Sequence, residues 1–202
     1  MSKRSIIRLL TVMLVLLVVL WGIILYVYVE NNSRSGYYGI VYERDAPEFT
    51  LIGQNGAEVS LSDFDGKVVL LFFGYTHCPD ICPMTMSVMN SVLDKLGDDA
   101  DKVQVLFVTV DPERDTQEKI RDYVPYYNKS FIGLTGSPDE IDKVADDYNI
   151  FYGKEQVQSE SEYLMGHNSS VLLITPEGEI FLRYPQNKMD PALIADDIKR
   201  VL

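Results

Sequence analysis

The sequence predicts one α/β domain, with a mixed central sheet and helices on both faces, opened by a β-hairpin and preceded by a single apolar helix. Three observations carry this. Apolar runs at residues 68–73 and 103–110 have the length and the β-branched and aromatic content of strands buried on both faces. Helical segments with cap signals alternate with the strand segments that follow, as in a layered α/β sheet. An uncharged apolar run at residues 9–29 stands before everything else. The 202 residues suffice for one domain with a good core plus an anchor.

In chain order, residues 48–52 alternate and 59–61 follow, with Asn55-Gly56 between them as a hairpin turn signal. The run 68–73 is the central strand. Residues 79–96 read as a helix, with Pro79 at its first position and Val88, Val92, Leu93 and Leu96 along one side. The strand 103–110 ends at Asp111-Pro112, and Thr116 caps a helix to about Tyr127. A short strand covers 131–134. Ser137-Pro138 opens the next helix, to about Tyr148. Residues 150–158 read as a short hairpin arm. The strand 169–175, a turn at Pro176 and the strand 180–184 form a closing hairpin, and 191–202 is the last helix. This order is the layout of a thioredoxin-like domain with an N-terminal hairpin and an insertion.

The organisation expected is a basic N-terminus at 1–8, a transmembrane anchor at 9–29, a polar linker at 30–44 and the thioredoxin-like domain at 45–202. At ~1.5 Å per residue the run 9–29 spans a hydrocarbon core of ~30 Å. Lys3, Arg4 and Arg8 precede it, so the positive-inside rule keeps the N-terminus in the cytoplasm and sends the body across. The run exceeds a signal-peptide h-region, and no small-x-small site ends it. With no Arg- and Ser-rich presequence before it, a single pass through a bacterial plasma membrane is expected. Removing the three cations at 1–29 from the net charge of −12 leaves −12 − 3 = −15 on residues 30–202. That argues against nucleic acid as a partner.

Both cysteines, Cys78 and Cys82, lie in a C-x3-C spacing between the central strand and its helix. With Cys78 as N-cap, Cys82 lies one turn on, and a thiol there feels the positive end of the helix dipole. Outside the cytoplasm a structural disulfide is the default. A bridge between i and i+4 closes so small a loop that it staples almost nothing. The pair therefore reads as redox or metal chemistry. His167 stands just before the strand 169–175, which runs antiparallel to 68–73 in such a sheet, so its start lies beside the end of the other. Two thiolates and one imidazole make a soft set that suits copper, Cu(I) especially, whereas zinc would want a fourth ligand. His77 is a third-choice ligand or a modulator of the thiolate. Asp80, between the cysteines, is either a first-turn acid or a group that attracts a cation. The segment from Asp111 to Asp115 follows a strand at the same sheet edge, where sites gather, as a docking, supporting or capping loop.

Phe73-Gly-Tyr-Thr-His-Cys-Pro-Asp-Ile-Cys-Pro83, Val110-Asp-Pro-Glu-Arg-Asp115, Gly133-Leu-Thr-Gly136 and Gly166-His-Asn-Ser-Ser-Val171 together resemble the Sco/SenC family of membrane-anchored copper metallochaperones. The resemblance covers the chain from the anchor to the last helix. It implies a thioredoxin-like fold and copper, as Cu(I) or Cu(II), held by Cys78, Cys82 and His167. It also implies a redox-active dithiol and a part in assembling the dinuclear copper centre of cytochrome c oxidase, with the copper-bearing subunit as partner. Thioredoxin-like reductases have C-x2-C and a cis-proline where this chain has Gly166-His167, and the family often has aspartate where Gly166 stands. The alternative class is a thiol:disulfide oxidoreductase that reduces cysteines of an oxidase subunit, with Cys78 as nucleophile and Cys82 as resolver. It has no need of His167.

Overall fold

The structure, a computed structural model, describes residues 3–34, 36–155, 159 and 163–202. It divides into two compact units, residues 1–37 and 38–202.

The first unit contains helix α1, Lys3–Arg34. No helix among the described residues is long and apolar enough to cross a membrane. This overturns the expected transmembrane anchor at 9–29, and with it the single-pass plasma-membrane localisation and the orientation read from Lys3, Arg4 and Arg8.

The second unit is a thioredoxin-like α/β domain. Its elements are β1 Ile40–Asp45, β2 Thr50–Gly53, β3 Glu58–Ser60, β4 Val68–Gly74, α2 Ile81–Leu96, β5 Val103–Thr109, α3 Gln117–Tyr127, β6 Ile132–Thr135, α4 Pro138–Asp147, β7 Tyr152–Glu155, β8 Leu164–His167, β9 Val171–Ile174, β10 Glu179–Tyr184 and α5 Pro191–Val201. Eight strands form one mixed sheet in the order β1-β10-β9-β4-β5-β6-β2-β3, and β7 and β8 form a separate two-stranded sheet. β4 and β5 run parallel, with Phe72 opposite Phe107 and Gly74 opposite Thr109. β9 runs antiparallel to β4, with Phe72 opposite Val171.

All seven residues of β4 are buried, as a strand covered on both faces requires. Phe72, Phe73, Phe107, Leu70, Leu71 and Leu106 fill the centre. Local signals shape the edges. Gly56, at φ +83°, turns β2 into β3. The Thr116 hydroxyl accepts from Lys119 N–H to start α3, and Ser137 and Glu140 form a capping box on α4.

Two expectations shift. Part of the stretch read as linker becomes β1, which pairs with β10. Half-exposed edge strands tolerate polar residues, and buried Asp197 ties the entry down by accepting from Tyr38 N–H (2.9 Å) and Gly39 N–H (2.8 Å). Helix α2 begins at Ile81 with Asp80 as N-cap, not at Pro79. Cys78 instead closes a turn, its N–H donating to the Tyr75 carbonyl at 3.3 Å.

Candidate metal centre

The site lies where β4 and β5 end, the edge at which α/β sheets collect functional groups. Gly74 ends β4. A Cβ built there would sit 3.0 Å from the Cys82 sulfur and 2.9 Å from the Phe72 and Phe107 rings, so glycine is what lets α2 bring its cysteine against the strand. Cys82 is fully buried in the first turn of α2, while Cys78 is half-buried on the preceding turn. The Cys82 N–H donates to Cys78 Sγ at 3.5 Å.

The two thiols are driven apart in acidity. Cys78 is lowered to about 5, chiefly by a hydrogen bond from the Cys82 thiol, helped by amides at the start of α2 and opposed by burial. Cys82 is pushed up, first by that same bond to Cys78 and then by burial. Near neutral pH the pair is one thiolate, at Cys78, and one thiol.

His167 closes β8, paired with Tyr152 of β7. Its Nε2 lies 3.7 Å from Cys82 Sγ, although the residues are 85 apart in sequence. Burial holds its pKa below the ordinary value, opposed by the nearby Cys78 charge, so the ring stays neutral and its nitrogen lone pair stays available. Nδ1 is buried and finds no hydrogen-bond partner among the described residues. Phe72 and Tyr75 wall the ring, with centroids at 6.4 and 5.9 Å.

Four other side chains in the segments singled out from the sequence fall elsewhere. His77 turns from the thiols, its Nδ1 3.4 Å from Asp115 Oδ1. Among the described residues, His77, Asp111 and Asp115 are the group whose donor atoms all fall within 4.8 Å of one another; Cys78, Cys82 and His167 do not close that far. The carboxylates of that tighter group are already engaged. Asp115 accepts from Thr76 and Thr109, and Asp111 accepts from Arg114 and Tyr163. Asp80 caps α2 without a side-chain hydrogen bond.

Tyr75 and Tyr163 are neighbours of the site to which the sequence reading assigned no role, and Arg114 entered it only as part of the segment from Asp111 to Asp115. Tyr75 is 2% exposed, and its hydroxyl is pushed up to about 12, mainly by burial. Its place one residue past an all-apolar strand was the available signal. Nothing in the spacing of Arg114 and Tyr163 marks them as partners.

Residues 42–202 match the SCO1/SenC family model. The chain belongs to the SCO1/SenC family. It is 36% identical over 154 residues to "Protein SCO1 homolog 1, mitochondrial" of Arabidopsis thaliana, a match covering 76% of this chain and 46% of that protein. The chain spans about half the length of such curated relatives. The structure of Bradyrhizobium japonicum ScoI with copper bound is 38% identical, with a TM-score of 0.71, covering 79% of this chain and 100% of that one. BsSco, described through a disulfide switch and as a member of the Sco family of cytochrome c oxidase assembly proteins, is 26% identical with a TM-score of 0.63 and covers 81% and 96%.

Proposed function

We propose that this SCO1/SenC protein carries copper to the copper-bearing subunit of cytochrome c oxidase, holding it with Cys78, Cys82 and His167. The single observation that supports this most is the 3.7 Å approach of His167 Nε2 to Cys82 Sγ at a turn where Cys78 is already a thiolate. A sulfur-rich set with one imidazole matches Cu(I) in softness, and a relative in this family is known with copper bound.

The chain's own residues divide the work. Cys78 offers a thiolate without prior loss of a proton. Cys82 binds as thiolate only by releasing one, so uptake of the metal releases protons. Neutral His167 supplies nitrogen. The buried Phe72 and Tyr75 rings keep water from one side of the imidazole. Because the three donors stand further apart than 4.8 Å as a group, loading draws them together.

Anaerobic copper titration of the reduced protein, in parallel with His167→Ala, tests the reading. One equivalent bound tightly, with affinity falling in the variant by more than the ~10–100-fold that loss of an outer partner costs, is the expected result. Weak binding that ignores the variant would sink it.

A second reading rests on the split acidity of the thiols, which suits a thiol:disulfide oxidoreductase acting on oxidase cysteines. Cys78 attacks a partner disulfide and Cys82 resolves the mixed disulfide; the partner gains two electrons and two protons while Cys78 and Cys82 become a disulfide. It predicts that His167→Ala keeps full disulfide-exchange activity.

A further inference from the structure

The loop at residues 111–115 touches both halves of the site. Near its end, fully buried Asp115 accepts from Thr76 N–H at 2.8 Å, from the Thr76 hydroxyl and from the Thr109 hydroxyl at 2.7 Å. Thr76 stands two residues before Cys78, so this carboxylate holds the cysteine turn. At the start of the loop, Asp111, 2% exposed, accepts from the Tyr163 hydroxyl at 2.8 Å and from Arg114 Nε at 2.6 Å. Arg114 also donates through Nη1 to the Tyr163 carbonyl at 2.9 Å, and its guanidinium carbon lies 3.5 Å from the centre of the Tyr163 ring. Tyr163 immediately precedes β8, the strand that ends in His167.

β8 needs such a hold. Among the described residues it is laddered to β7 alone and not to the eight-stranded sheet, so no strand ladder there ties the His167 arm to β4, which leads into the cysteine turn. β9, which is in the main sheet, starts only at Val171. Lys154 of β7 lies at the solvent-exposed rim of the same junction, pairing with Glu113 and 4.6 Å from the Tyr163 ring centroid.

We infer that Arg114 is a positioning residue: gripping Tyr163 from a loop that also anchors the cysteine turn, it sets the separation between His167 and the two thiols. The role depends on the planar fork, which bonds Asp111 and the Tyr163 carbonyl while stacking on the ring; lysine keeps the charge but cannot do all three. This inference rests on the proposed copper set, and the test below separates the two.

Arg114→Lys keeps a cation beside buried Asp111 and avoids the unpaired charge that Arg114→Ala would leave. Tyr163→Leu removes the stacked ring but keeps the backbone carbonyl. Three readouts apply to both variants: nitrogen hyperfine coupling in the electron paramagnetic resonance spectrum after Cu(II) addition, copper affinity, and amide hydrogen exchange in the metal-free protein. The expected result is loss of His167 nitrogen coupling, a ~10–100-fold fall in copper affinity, and faster exchange confined to residues 164–167, with β4 unchanged. Wild-type coupling and wild-type exchange at 164–167 in both variants would overturn the inference. So would exchange that quickens equally in β4, because Arg114 would then only stabilise the fold. If the wild-type coupling persists unchanged in His167→Ala, the copper set fails instead, and local exchange in the metal-free variants still decides the latch.

Discussion

The cysteine turn and the histidine arm meet at one corner on unlike supports. The turn grows from β4, every residue of which is buried, and runs into α2, which packs Cys82, Met86 and Met89 inward. The arm is a two-stranded sheet whose β7 is exposed over Gly153, Lys154 and Glu155 and whose Phe151 is 78% exposed. The strand behind one support is buried throughout; the other support buries Tyr163 and Met165 but has an exposed outer strand. In the proposed copper set, two donors sit on the first support and the third sits on the second.

The largest effect should fall on the fixed half. Phe72→Ala empties a fully buried ring position and should cost ~3–5 kcal/mol, read from the denaturant midpoint. Phe151→Ala on the arm should stay within ~0.5 kcal/mol. Equal costs would erase the contrast.

Next in size is Cys82→Ser, which should abolish tight copper binding while leaving His167 in place. Retained tight binding would show that the buried sulfur is only packing.

The acidity split sharpens the comparison further. Cys78 is lowered to about 5, against ~8.5 for an ordinary thiol. Thiol-alkylating reagent should therefore label Cys78 rapidly down to about that pH, and Cys82 hardly at all. The same shift bears on stability. The folded pKa lies below the unfolded one, so the stability Cys78 contributes is complete above ~8.5 and lost as pH falls towards about 5. Cys78→Ser should flatten that fall in a pH series of urea midpoints; an unchanged slope would place the thiolate elsewhere.

The smallest effect expected is from Lys154→Ala. Its ion pair with Glu113 is solvent-exposed, so the melting temperature should not move. A clear drop would mean the arm is held at its edge and not at Tyr163.

Much of the rigid half was legible in the residues because its causes are local. An unbroken apolar run can only be a strand covered on both sides, and C-x3-C at the start of a helix puts two sulfurs a turn apart. Even there the cap was misplaced by two residues, because the Tyr75–Cys78 turn competes with Pro79 for the start of α2. The anchor read from the run 9–29 does not stand, because no helix among the described residues is long and apolar enough to cross a membrane. His167 was reachable by reasoning on strand direction, since β9 lies antiparallel to β4. The Arg114–Tyr163 grip was not, because the partners are 49 residues apart and neither spacing nor periodicity links them.

By itself the sequence determined the α/β layering and the central strand, because hydrophobic period and turn chemistry act over short stretches of chain. Only the tertiary structure decided that burial and a shared hydrogen bond drive the two thiols apart in acidity, that His77 turns to Asp115, and that the loop at 111–115 contacts both the cysteine turn and Tyr163. Those outcomes depend on burial and on contacts between distant segments, which exist only once the sheet has closed.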